Sequence, residues 1–358
     1  MKNSKLGNKK VIKGKRERYK KDAERRYGAK TKPGTPKAPS QAKIQHKEAR
    51  RRRRESAPVT NAARSENSQY IQWFPGHMTR TKRKIQADLK LVDAVAEIID
   101  ARVPLSSRNP DLPSMVGNKP RVILMNKCDL ADPIITRRWA QYFKEQGIKA
   151  IELNCKTGSG INNFTAAVRE VLADKIEAWA AKGMVNRPLR VMVVGIPNVG
   201  KSTFINRISK TSKAKTEDRP GVTRGNQWFT LSYGGVNIDL LDTPGVLWPR
   251  FDDQQVGERL AFTGAVKDDV TDSQQLALRL LEFFKTSPTQ VFCERFGLTF
   301  EDISDKTSFE LLDMIAKKRG MLISGGEADT ERAAIMLLDE FREAKLGRIT
   351  LDELPEQR

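Results

Sequence analysis

The sequence predicts an α/β fold, a doubly wound and mostly parallel sheet, preceded by a basic arm and followed by a small all-helical domain. Three observations carry that expectation. From Tyr70 onward, short apolar runs bounded by polar turns alternate with helix-compatible stretches, the spacing of strands joined by crossovers. After Trp248 only amphipathic helical patterns remain. Charge is segregated: residues 1–65 hold 23 Lys/Arg against 5 Asp/Glu, residues 66–249 hold 27 against 17, and residues 250–358 hold 15 against 22. The net charge of +21 is therefore concentrated at the N-terminal end.

The arm, residues 1–65, contains an unbroken arginine run from Arg50 to Arg54 and a proline-rich stretch at 32–39, with almost no branched aliphatic residues. It cannot offset the entropy of ordering by itself and is expected to be disordered. Its expected partner is a polyanion, because Lys/Arg pairing with phosphates releases counterions whatever the sequence. A solubilising tail or a targeting leader is the competing reading. Glu17, Asp22, Glu24 and Glu48 argue against the leader, since transit peptides are poor in acids. No run of about 18 apolar residues occurs, and no apolar signal region opens the chain, which predicts a cytoplasmic protein with no membrane partner. Three cysteines and two histidines at wide spacing exclude a disulfide framework and a Cys/His zinc site.

Within a domain at 66–254, strands are expected at 94–99, 122–125, 150–153, 190–194, 228–233 and 236–241. The helical domain, 255–358, begins with an amphipathic stretch at 273–285. Thr307 and Glu310 then form a capping-box pattern opening a helix that Gly320 can close, and a helix over 330–345 ends before Gly347.

Chemistry-bearing residues cluster at the strand ends. Gly195-Ile196-Pro197-Asn198-Val199-Gly200-Lys201-Ser202-Thr203 follows a strand and leads into a helix, the setting of a P-loop. Its backbone N–H groups close around phosphate oxygens, Lys201 supplies charge to the outer phosphates, and the Ser202 hydroxyl can ligate magnesium. Asp242-Thr243-Pro244-Gly245 ends another strand; the Asp242 carboxylate can hold magnesium through its water shell, and the Gly245 N–H can sense a terminal phosphate. Asn126-Lys127-Cys128-Asp129 selects the base. The Asp129 carboxylate can accept two hydrogen bonds from the N1–H and exocyclic amine of guanine, adenine has no matching donor pair, and the Lys127 stem can cover the ring. Asn154-Cys155-Lys156 can offer a backbone N–H to the guanine oxygen. These residues call for GTP or GDP with magnesium. Neither Cys128 nor Cys155 has a partnering base in the sequence, so neither thiol is assigned a catalytic role.

Their order is unusual. In an ordinary GTPase the P-loop comes first and the guanine motifs last; here both guanine motifs precede Gly195. The 66–254 domain therefore reads as a circularly permuted P-loop GTPase domain, which physics permits when termini lie close and a surface loop is cut. The cut leaves the Asp242 loop running directly into the helical domain.

Trp73-Phe74-Pro75-Gly76-His77-Met78, Asp100-Ala101-Arg102-Val103-Pro104, Ser106-Ser107-Arg108-Asn109-Pro110, Asp218-Arg219-Pro220-Gly221-Val222-Thr223 and Asp242-Thr243-Pro244-Gly245-Val246-Leu247-Trp248-Pro249 join the P-loop in a combination that resembles the YlqF/RbgA family of circularly permuted ribosome biogenesis GTPases, over roughly residues 70–350. The resemblance implies GTP hydrolysis during late maturation of the large ribosomal subunit, with nucleotide state controlling association with the pre-ribosomal particle, by a protein monomeric off the ribosome. Residues 1–65 depart from the compact bacterial form, which leaves an organellar or nucleolar compartment as the alternative to the bacterial cytoplasm.

Val246 stands where many GTPases place a water-orienting glutamine, so another group must serve. The resemblance points to His77 as the catalytic residue that orients or deprotonates water; a capping or RNA-contacting histidine is the other reading. Asn198 resembles a P-loop asparagine that ligates potassium, against a loop-internal hydrogen bond. Thr223 is the expected switch threonine, reaching magnesium only when the third phosphate is present. The resemblance also implies ribosomal RNA contact by the helical domain. With a net −7 there, that contact must be a local patch, for which Lys317, Lys318, Arg319, Arg342, Lys345 and Arg348 are the candidates, against plain solvated helix faces. A GTPase of transfer-RNA modification and a noncatalytic RNA-binding scaffold remain as alternatives to the assembly-factor reading.

Overall fold

Every residue of β1 (Ala94–Asp100) is buried, as befits a central parallel strand covered on both faces. The computed structural model describes residues 76–355 apart from 185, 212–214, 218–226, 234–235, 244–252 and 267–271, with side chains from 83 onward except at 211, 215–217 and 233. The basic arm, Thr223, Gly245 and Val246 lie outside the described residues, as does the side chain of His77.

Around β1 are β2 (Arg121–Asn126), β3 (Lys149–Glu152), β4 (Leu189–Val194), β5 (Lys215–Glu217), β6 (Gln227–Tyr233) and β7 (Val236–Asp242). They form one sheet in the order β3-β2-β1-β4-β7-β6-β5. The first five are mutually parallel, and β6 runs antiparallel between β7 and β5. All six expected strands form, and the short edge strand β5 is additional. The permutation is visible in this order, because the P-loop strand β4 comes fourth in the chain, after β2 and β3, whose ends carry the guanine motifs.

The two faces of β1 face different layers. Ala94, Ala96 and Ile98 belong to a core shared with α4 (Asn162–Val171) and α6 (Lys201–Thr211), where Phe164 and Phe204 meet edge to face at 5.2 Å. Val95 packs with Ile85 and Leu89 of α1 (Gly76–Leu89) and with Leu112 and Val116 of α2 (Leu112–Val116). Ile99 packs with Trp139 and Phe143 of α3 (Pro133–Glu145). Helix α5 (Ala173–Ala181) leads from α4 towards β4.

The first of these cores does not stop at the sheet. It continues into α7 (Gln254–Phe262), α8 (Ser273–Thr286), α9 (Gln290–Phe296), α10 (Phe300–Asp305), α11 (Ser308–Lys318) and α12 (Thr330–Arg342). Phe284 stacks on Phe292 at 4.1 Å within it. Thr307 and Glu310 close the expected capping box at α11, and Thr299 with Asp302 forms a second at α10. Each such cap contributes about 1 kcal/mol. The helix expected over 330–345 ends at Arg342, because Ala344 turns into the left-handed region at φ 57°.

Candidate nucleotide site

The turn after β4 fits only glycine at its two ends. A Cβ on Gly195 would stand 2.8 Å from the Ile98 carbonyl oxygen, and one on Gly200, at φ 100°, would stand 2.2 Å from Nδ2 of Asn126. Chain and neighbour therefore approach more closely than a side chain allows. Lys201 opens α6, and Ser202 and Thr203 are exposed in its first turn. The Lys201 ammonium pairs with Oδ1 of Asp242 at the end of β7. Next to it, the Thr243 hydroxyl donates to the Val193 carbonyl at 2.7 Å and fixes the start of the following loop to the P-loop strand.

Asn126 joins three of the expected motifs. Its Nδ2 donates to the Val199 carbonyl in the phosphate loop at 2.7 Å, and its Oδ1 accepts from the Cys155 N–H at 3.0 Å. Asn154 turns its own segment, accepting from Lys156 N and Thr157 N at 2.9 and 3.0 Å. The Cys155 and Lys156 N–H groups, expected to face a guanine oxygen, are thus both satisfied within the loops. Arg207 of α6 donates to the carbonyls of Cys155 and Lys156, a tie that the sequence reading did not contain. Asp129 is exposed and, among the described residues, makes no hydrogen bond or ion pair. Burial, with the neighbouring Cys128 thiol, pushes Cys155 up to about 12, so it is a neutral thiol at physiological pH.

Lys127 has a left-handed backbone, φ 59°, and its ammonium lies 2.9 Å from Oδ2 of Asp100. That carboxylate also takes Arg102 side-on, with Nε to Oδ1 at 3.0 Å and Nη2 to Oδ2 at 2.7 Å. Burial opposes ionisation of Asp100, yet Arg102 and Lys127 together hold it well below the usual carboxylate range.

The helical part reaches back to these loops. Arg348 donates to the carbonyls of Cys128 and Ala131 at 2.8 and 3.0 Å, and Asp132 N donates to the Thr350 hydroxyl at 3.2 Å. Asp352 accepts from Leu105 N, Ser106 N and the Ser106 hydroxyl, and pairs with Arg259 at 3.1 Å. Asn198, at φ 60°, donates from Nδ2 to the Gly264 carbonyl at 2.9 Å, and its Oδ1 has no partner among the described residues.

The six basic residues expected to form an RNA patch are mostly engaged elsewhere. Arg342 caps the carbonyls of Phe262 and Ala261, Arg348 grips the guanine loop, and Lys318 donates to the Gly297 carbonyl. Arg319 pairs with Glu340 and lies over the Phe296 ring. Lys317 and Lys345 pair only with nearby Asp313 and Glu343. An open groove of about 530 Å³ lies on α12, lined by the acids Asp329, Glu331, Asp339, Glu340 and Glu343 against the bases Arg332 and Lys345.

No cluster of three or more His, Cys, Asp or Glu side chains that could hold a metal occurs among the described residues. Magnesium binds through one or two protein groups together with substrate phosphates and water. Asp242 and Ser202 are the groups present, and the Lys201 ammonium on Asp242 shows that this carboxylate favours a cation. No helix of the described residues is long and apolar enough to cross a membrane.

Residues 190–288 match the family described as 50S ribosome-binding GTPase. The chain is 45% identical over 289 residues to the ribosome biogenesis GTPase A of Bacillus cereus, covering 80% of this chain and 95% of that protein. It is 30% identical over 313 residues to the mitochondrial ribosome-associated GTPase 1 of Bos taurus, covering 84% and 92%. Among solved structures, GDP-bound YlqF aligns with 28% identity and a TM-score of 0.54, covering 77% of this chain and all of that one. The GNP-bound YlqF of T. maritima aligns with a TM-score of 0.53.

Proposed function

Since the chain belongs to the RbgA/YlqF ribosome biogenesis GTPase A family, we propose that it binds and hydrolyses GTP as an assembly factor in late maturation of the large ribosomal subunit. Its nucleotide state would govern association with the pre-ribosomal particle in the bacterial cytoplasm. One observation supports the nucleotide reading above the others. Through Asn126 the phosphate loop and both guanine loops form a single hydrogen-bonded unit, 2.7 Å to one side and 3.0 Å to the other, so a ligand that engages one end meets the other already positioned.

In this reading Asp129 offers both oxygens to the guanine N1–H and amine, and the Lys127 stem covers the ring. Lys201 exchanges Asp242 for the outer phosphates, which frees the carboxylate. Ser202 and Asp242 would hold magnesium, which would offset phosphate charge. Thr223 and the Gly245 N–H respond to the third phosphate. His77 lies in the first turn of α1 and positions water, the task Val246 cannot perform. Asn198, whose Oδ1 has no partner among the described residues, is the candidate potassium ligand. Lys317 and Lys345, whose pairs are local, are the residues of the helical part most open to ribosomal RNA.

The test is sedimentation of the full chain with large subunits under GTP, GDP and a nonhydrolysable analogue, alongside hydrolysis assays. Nucleotide-dependent co-sedimentation and particle-stimulated turnover are expected. His77→Ala should then lower stimulated turnover by roughly 10²- to 10⁴-fold with particle binding intact. Equal binding in all three nucleotide states, with no stimulation, would leave only a scaffold role.

A further inference from the structure

The register of the central strands sets Asp100 directly opposite Asn126, one residue before Lys127. A buried acid at that place needs cations to balance it, and it has two: the Arg102 guanidinium and the Lys127 ammonium. Arg102 does not end there. Its Nη2 also donates to the Thr263 carbonyl at 3.3 Å and its Nη1 to the Arg342 carbonyl at 3.2 Å. Thr263 and Gly264 follow α7, where a helix leaves its last carbonyls without intrahelical partners. Four successive carbonyls there are taken by side chains. Arg342 takes Ala261 and Phe262, Arg102 takes Thr263, and Asn198 of the phosphate loop takes Gly264. The end of α7 is thus tied to the phosphate loop by one residue and, through Arg102 and Asp100, to the lysine of the guanine motif.

A lysine stem in water samples many rotamers, and covering a base would order it at a cost. Here the ammonium is already held by Asp100 at 2.9 Å, on a Lys127 backbone in the left-handed region at φ 59°. We propose that Asp100 is a positioning residue for the base slot, presenting the Lys127 stem to the guanine ring, and that Arg102 makes this presentation depend on the seating of the α7 end. This rests on reading the 126–129 loop as the guanine site.

A double-mutant cycle on the full chain tests it, with a fluorescent GDP as probe and IDP, which lacks the exocyclic amine, as competitor. Lys127→Met should weaken GDP about tenfold, the worth of a lost charge-assisted contact. Asp100→Asn should account for most of that loss, and the double variant should be no weaker than Lys127→Met alone. The GDP/IDP preference should survive in all three, since Asp129 still reads the amine. Arg102→Lys, which keeps a cation on Asp100 but loses the α7 carbonyls, should speed GDP release with the same preference retained. A measurement on the wild type is independent of variant folding: without nucleotide, Lys127 should react with acetic anhydride several-fold more slowly than exposed Lys156. Additive losses in the cycle, a collapsed GDP/IDP preference in Asp100→Asn, or equal acetylation of the two lysines would overturn the proposal. If Lys127→Met itself leaves GDP affinity unchanged, the guanine-site reading falls first and takes this inference with it.

Discussion

The guanine loop and the phosphate loop are stabilised by different kinds of partner. Around the 126–129 loop the contacts run outward to the framework: Asn126 to Val199 and Cys155, Lys127 to Asp100, Cys128 and Ala131 to Arg348. Only Asp129, the carboxylate proposed to read the base, is left exposed and without a partner among the described residues. Around the phosphate loop, the two strongest charges, Lys201 and Asp242, are paired with each other. The difference shows where ligand energy is spent. In the proposed reading the base slot is organised before anything enters it, whereas the phosphate end would exchange an internal ion pair for ligand and magnesium contacts. Affinity is expected to follow the base side and turnover the phosphate side.

The contrast can be broken at its charged end first. Lys201→Ala should lower GTP turnover by roughly 10²- to 10³-fold, the range for removing one electrostatic stabiliser of transition-state charge. Single-turnover hydrolysis checks it, and an unchanged rate would place the chemistry elsewhere. Next, Asp129→Asn replaces one of two acceptors by a donor and should weaken GTP by about 10²-fold while improving xanthosine triphosphate, read by competition binding. Gly200→Ala forces a side chain into a left-handed turn against Asn126. It should lower stability by about 1–3 kcal/mol, seen as a denaturant midpoint shift at constant slope. Arg348→Ala removes two bonds that brace the guanine loop from the helical part and should speed GDP release by about tenfold or less, measured by fluorescence chase. The smallest expected effect concerns Cys155. With its thiol pushed up to about 12, iodoacetamide at neutral pH should leave it unmodified in the native chain, and rapid alkylation would show that the loop opens.

The strands were legible because each is a continuous apolar run ended by polar turns, and the Thr307–Glu310 box because its two partners are three residues apart. β5 was not legible, since Lys215, Thr216 and Glu217 carry no alternation and pair only because β6 is already there. The Thr299–Asp302 box was present as a pattern and marks α10, a helix of six residues, too short for periodicity to show. At the site, the residues expected to touch ligand were found from local spacing. What organises them was not: Asp100 reaches Lys127 through strand register, Asn198 reaches Gly264 across 66 positions, and Arg348 reaches Cys128 across 220. Arg342 and Arg348 entered the reading as candidate RNA contacts because sequence shows charge without showing the carbonyls that surround it.

After Thr243, fixed to β4, the chain continues in α7 to α12 and returns with Arg348 and Thr350 on the 128–132 segment proposed to read the base. The helices are in effect a cord fastened at both ends of the nucleotide slot. In this reading a pull on the helices would act on the loop held by Arg348 and on the chain leading from Thr243 together. Mechanical load would therefore widen the slot as a whole instead of peeling one end, and a force trace of nucleotide-loaded protein pulled through α12 should show loss of GDP in a single step.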